Sequence, residues 1–160
     1  MTGTPEQLFA LSRYETGSFP VRLRLEVPAS VNAIDSAVDS AMHFAANEGC
    51  ILESDFEVRL AFHEALANAV LHGCNGDGRK KVHCLIACDI SRGLLIVVRD
   101  PGNGFDPGAV PCPIDEDRLL QEHGRGIELM RRLVDEVHFE RGGTEIHLLK
   151  WWPAPTEKQI

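Results

Sequence analysis

Apolar residues change their spacing several times along this chain, and each change dictates a different local structure. Val21, Leu23, Leu25 and Val27 alternate with Arg22, Arg24 and Glu26. A period of two places the apolar side chains on one face of a half-buried strand. After Pro28-Ala29-Ser30 the spacing becomes helical: Val31, Ile34, Val38, Ala41, Met42 and Ala45 share one side of a helix that runs to about Glu48 and stops at Gly49. A second helix starts at Ser54-Asp55-Phe56-Glu57. This matches a capping box, in which Ser54 and Glu57 satisfy each other's backbone donors. The helix is expected to reach His72, with Phe56, Leu60, Ala67, Val70 and Cys74 as its apolar stripe.

Asn75-Gly76-Asp77-Gly78 predicts a turn. Lys81–Asp89 and Gly93–Arg99 predict two strands joined at Ile90-Ser91-Arg92. Pro101–His123 is rich in glycine, proline and acid and predicts a long loop of the kind used as a lid. Gly124–Val134 predicts a helix, and Glu136–Glu140 with Thr144–Trp151 a hairpin through Arg141-Gly142-Gly143. A chain of 160 residues suits one domain. Its expected limits are 19–152, with an arm at 1–18 and a tail at 153–160.

Sixteen Lys and Arg against 24 Asp and Glu give a net charge of −8. That balance disfavours direct nucleic-acid binding, which relies on neutralising phosphates. No apolar run approaches the ~18 residues of a membrane span, and neither a span nor a secretory leader is expected. The cysteines Cys50, Cys74, Cys84, Cys88 and Cys112 are odd in number and form no C-x-x-C pair. Reduced thiols in a cytoplasmic protein are therefore expected, most of them buried as small hydrophobes. His72-x-Cys74 and His83-Cys84 lack the paired spacings of a structural zinc site.

Three features carry chemistry. Glu64 and Asn68, spaced i, i+4, lie ~40° apart on the second helix. Glu64 can accept a proton, and Asn68 offers a hard carbonyl oxygen to magnesium. Solvated residues on an exposed helix face are the bland alternative. Asp100-Pro101-Gly102-Asn103-Gly104 follows a strand. Asp100 can accept a hydrogen bond from an adenine amino group, while Gly102 and Gly104 let backbone pass close to the base. Alone, the box reads more readily as a surface turn. Gly124-Arg125-Gly126 opens a helix, where free amides and the dipole suit phosphates. His72, one turn beyond Asn68, can approach the same phosphates, whereas His63 reads as a surface residue. Neither a P-loop nor a G-x-G-x-x-G fingerprint occurs.

In combination, Glu64-Ala65-Leu66-Ala67-Asn68-Ala69-Val70-Leu71-His72-Gly73 resembles the N-box of the GHKL ATPases. Asp100–Pro107 resembles their adenine box, His123–Met130 their phosphate box, and Gly142-Gly143-Thr144 their last box. The order is the family's, from about Val21 to Trp151. Within that superfamily the chain is most similar to the bacterial anti-sigma-factor serine kinases, although Glu128 stands where that family often has an aromatic or aliphatic residue.

The resemblance implies an α/β (α+β) two-layer sandwich with a mixed, largely antiparallel sheet and helices on one face. It implies ATP and Mg2+ as ligands, Glu64 as general base and Asn68 as metal ligand. Asp100 would read adenine with Thr144 helping through water, Gly102 and Gly104 would shape the base pocket, and Gly124, Arg125 and Gly126 would hold phosphates. It further implies a protein serine/threonine kinase, a homodimer, that phosphorylates a STAS-type antagonist and holds a sigma factor. A nucleotide-gated binding module and the ATP-binding part of a split phosphorelay are the alternatives.

Overall fold

The computed structural model describes residues 19–104 and 122–151. The lid expected at Pro101–His123 lies mostly outside the described residues, as do the arm and the tail. The described elements are strand β1 (Val21–Pro28), helices α1 (Val31–Asn47) and α2 (Phe56–Asn68), a π turn (Ala69–Gly73), strands β2 (Lys81–Asp89) and β3 (Gly93–Arg99), helix α3 (Glu122–Leu133), strand β4 (Glu136–Glu140), a 3-10 turn (Arg141–Gly143) and strand β5 (Glu145–Trp151). Among the described residues they build one five-stranded sheet in the order β1-β2-β3-β5-β4.

Each of the four neighbouring pairs is antiparallel. The expected largely antiparallel sheet is thus borne out, and among the described strands it is antiparallel throughout. Two helices rather than one separate β1 from β2, so the chain re-enters the sheet running the opposite way. β4 and β5 form a hairpin whose second strand inserts beside β3. No neighbouring pair needs the single crossover helix that parallel strands require.

The three helices cover one face. Ile34, Val38 and Met42 from α1, Phe62 and Leu66 from α2, and Ile127 and Met130 from α3 bury against Ile86, Ile96 and Leu148 of the sheet. Helix α1 ends in a Schellman arrangement, with Gly49 N donating to Ala46 O and Cys50 N to Ala45 O. Helix α2 departs from its predicted details. Its cap is Asp55, whose carboxylate accepts from Val58 N at 3.1 Å, not Ser54. A full negative charge also suits the helix N-terminus. Its buried residues are Val58, Ala61, Phe62, Ala65 and Leu66, whereas Phe56 is 67% exposed. The helix is rotated from the predicted stripe because it packs between α1 and α3 through small alanines. Close approach is gained there at little hydrophobic signal in the sequence.

Strand β3 is buried along its whole length, which explains its unbroken apolar run Leu94–Val98. Its odd-numbered residues face away from the helices. There Leu95 and Val97 join Phe19, Leu85, Ala87 and Leu149 in a second apolar cluster, with Trp151 packed against it. Phe19 stacks on Trp151 at 6.4 Å between centroids, and Arg92 lies over the Phe19 ring.

Cys50 and Cys88 form a disulfide, correcting the expectation that these thiols are reduced. The end of α1 and the end of β2 bring their Cα atoms to 6.1 Å, within the roughly 4.4–6.8 Å that a disulfide spans. A separation of 38 residues hides that proximity from sequence reading. Cys74 and Cys84 are free and buried, and burial pushes both thiols up. Cys112 lies outside the described residues.

Candidate functional site

A cavity of about 390 Å³ opens where α2, the π turn and the ends of β3 and β5 meet. Asn68, His72, Asp100, Gly102, Gly104 and Thr144 all line it. Six of the predicted site residues, drawn from three separate stretches of sequence, thus share one wall-to-wall space.

Asp100 sits directly after β3, and its N–H donates to Thr144 O at 2.9 Å. That bond ties the end of β3 to the start of β5. One carboxylate oxygen accepts from Gly102 N at 2.8 Å. Among the described residues no hydrogen bond reaches the other. Burial raises the carboxyl above its usual range, and the Gly102 bond only partly offsets this. The group is therefore an acceptor held in a half-buried place with capacity to spare. Gly104 has φ +77°, and a Cβ there would overlap the carbonyl of Gly142. The two glycine boxes consequently touch backbone to backbone. Thr144 Oγ1 donates to Arg141 O at 2.9 Å, holding the intervening turn.

The other end of the site is built by α2 and α3. A Cβ placed on Gly126 would lie 3.1 Å from Glu64 Oε2 and 3.3 Å from Asn68 Nδ2. Glycine at this point lets the first turns of α3 settle against both residues. Glu64 and Asn68 are half-buried, which removes the reading of an exposed, solvated face. Helix α3 begins at Glu122, two residues earlier than predicted, so Gly124-Arg125-Gly126 stand inside its opening turns. The amides of the first four residues of a helix lack helical partners. Arg125 is exposed and does not line the cavity; the surroundings of Gly124 are outside what the structure describes. Glu64 and Gly126 are also outside the cavity lining; they meet each other beside Asn68, which does line it. His63 lies 3.4 Å from Asp35 on the surface between α1 and α2.

Sequence reading missed Lys80, Phe139 and Ile146, which also line the cavity. Lys80 stands in the basic run Arg79-Lys80-Lys81, where sequence alone does not single it out. Arg79 pairs with Asp77 and Lys81 with Glu26, leaving the middle residue at the cavity. Phe139 and Ile146 face it from paired positions of β4 and β5. The alternation of those strands could have supplied them. The helix itself widens at the site: Cys74 N donates to Ala69 O, five residues back. Such π turns often mark functional positions.

The arrangement can hold a flat polar ring against Asp100, Thr144 and the apolar Phe139 and Ile146. It can also direct an anionic chain past Asn68 towards the start of α3. Asn68 supplies an amide oxygen, a hard donor of the kind magnesium takes, beside the helix start where phosphates would collect.

Residues 27–150 match the family model described as the histidine kinase-like ATPase domain. The chain is 27% identical over 157 residues to an anti-sigma F factor of Clostridium novyi (strain NT), covering 94% of this chain and 96% of that protein. It is 28% identical over 113 residues to an anti-sigma F factor of Bacillus thuringiensis (strain Al Hakam), covering 68% and 77% respectively. The order of the boxes, the antiparallel sheet under three helices and the match over most of the chain agree, and the chain belongs to the histidine kinase-like ATPase family.

Proposed function

We propose that this protein is an ATP- and Mg2+-dependent protein serine/threonine kinase that regulates by partner switching. Its substrate would be a STAS-type antagonist and its second partner a sigma factor, as the resemblance to anti-sigma F factors suggests. A homodimer acting in the cytoplasm belongs to the same reading. No helix among the described residues is long and apolar enough to cross a membrane.

One observation carries the proposal. Gly126 brings the start of α3 against both Glu64 and Asn68, while Asp100 lies in the cavity that Asn68 also lines. The residues proposed for base recognition, metal ligation, phosphate binding and proton abstraction would thus act in series. Asp100 would accept the adenine amino hydrogen, with Gly102, Gly104 and Thr144 shaping the pocket and His72 near the phosphates. Asn68 would hold Mg2+, which supplies charge neutralisation on the transferring phosphoryl group. Gly124 would offer an amide and Arg125 charge to the phosphate oxygens, and Gly126 would let them approach Asn68 closely. Glu64 would take the proton of the attacking serine hydroxyl, one helical turn from Asn68.

General-base assistance is worth about 10²–10⁴-fold in rate. Glu64→Gln is therefore expected to lower phosphorylation of a STAS-type protein by that factor, with ATP affinity and partner binding retained. Labelled ATP, the two proteins and an acid-stability assay of the product decide the matter. An acid-stable phosphoprotein supports the kinase. An acid-labile one identifies a phosphorelay, and binding without transfer by the wild type identifies a nucleotide-gated binding module.

A further inference from the structure

Behind the adenine-reading residues, on the sheet face turned away from the helices, lies a buried ionic cluster. Glu145 is 1% exposed and His147 0%, with Arg99 at 7%. Arg99 Nε donates to Glu145 Oε2 at 2.6 Å, and its Nη2 contacts the same oxygen. His147 Nε2 lies 2.7 Å from Glu145 Oε1. Arg141 Nε approaches Oε2 at 3.7 Å. One carboxylate therefore faces three basic side chains.

The places of those side chains in the chain matter more than their number. Arg99 and Glu145 are register partners across β3 and β5. Arg99 immediately precedes Asp100, and Glu145 immediately follows Thr144. The next link on the cavity side is the hydrogen bond from Asp100 N to Thr144 O. Arg141 opens the turn whose Gly142 carbonyl meets Gly104, and it holds a positive φ of 53° without being glycine. The end of β3, the start of β5 and the turn between β4 and β5 are thus each tied to the same carboxylate by a residue next to the cavity.

We infer that Glu145 is a positioning residue for base recognition, fixing Asp100 and the Arg141–Thr144 turn through Arg99 and Arg141. The inference rests on the adenine reading of Asp100 given above. Glu145 is absent from the cavity lining. Its effect should appear where the geometry of Asp100 matters, in discrimination between bases, and not in the general hold on a triphosphate.

Inosine triphosphate separates these effects, because it carries an oxygen where ATP carries the amino group that Asp100 would bind. The wild type is expected to bind ATP at least tenfold more tightly than inosine triphosphate by calorimetry. Glu145→Gln keeps the shape but removes the charge, and should cut that ratio several-fold with inosine triphosphate affinity nearly unchanged. Arg141→Asn is a second probe at an exposed position where Asn tolerates positive φ, so the fold does not depend on it. It should reduce the same ratio by a smaller factor, and it decides the question if Glu145→Gln does not fold. Equal loss of both nucleotides in each variant, or an unchanged ratio, overturns the inference. Asp100→Asn in the same assay distinguishes the sources of failure. If it collapses the ratio while the other two do not, only the positioning role falls. If it too leaves the ratio intact, adenine reading by Asp100 falls and the positioning role with it.

Discussion

Asp100 and Glu145 are both withdrawn from solvent at the same end of the sheet, yet their surroundings are opposite. Asp100 accepts one backbone hydrogen bond among the described residues and is raised by burial. Glu145 is also pushed up by burial, but hydrogen bonds from His147 and Arg99 outweigh that and hold it below the usual range. One carboxylate is left with acceptor capacity facing a cavity; the other has its capacity consumed by protein. Unspent polar capacity in a partly buried place marks where a ligand completes the structure, whereas saturated capacity marks a group completed by the fold.

The largest effect should come from breaking the saturated group. Glu145→Ala leaves the Arg99 guanidinium buried without its carboxylate and should lower unfolding stability by about 3–5 kcal/mol. Denaturant titration measures this; a loss below about 1 kcal/mol would erase the contrast. The matching change at the other carboxylate should act on ligand instead. Asp100→Asn should weaken ATP binding by about 1–3 kcal/mol without lowering stability at neutral pH, since it removes an under-compensated charge. Calorimetry and a melt on one preparation test both halves.

The smallest effect concerns acid, and its sign differs between the two groups. Glu145 is lowered in the folded state, so its contribution is complete above the ordinary glutamate value of about 4.3 and is lost as pH falls through the lowered one. Asp100 is raised, so its unfavourable contribution is complete above the raised value. It disappears as pH falls towards the ordinary aspartate value of about 3.9. Stability differences between wild type and Glu145→Gln should therefore shrink in acid. The advantage of Asp100→Asn should shrink too, and at higher pH. Parallel curves for both variants would mean that the two carboxylates share one environment.

Much of the sheet was legible in the sequence because local signals agree there. β2 and β3 fall where alternation and the apolar run placed them, bounded by Gly93 and Asp100. The gathering of Asn68, His72, Asp100, Gly102, Gly104 and Thr144 was legible only through the combined boxes, since each alone fitted an ordinary turn or helix. The rotation of α2 was not legible, because Ala61 and Ala65 matter for closeness and not for hydrophobicity. The Arg99–Glu145–His147 cluster was hidden for a different reason. Charged residues at alternate strand positions read as solvent-facing until the second face is seen to be buried.

The disulfide has a consequence for how the molecule comes apart. Residues 50 and 88 are joined across a stretch that contains all of α2, the π turn and most of β2. Glu64 and Asn68 thus sit on a closed covalent ring, whereas Asp100, Gly126 and Thr144 sit on the open chain that leaves it. A single backbone cut within the ring yields two fragments that remain one molecule until a reductant is added. A cut in the open chain between Asp100 and Gly126 releases the two halves of the site from covalent connection at once.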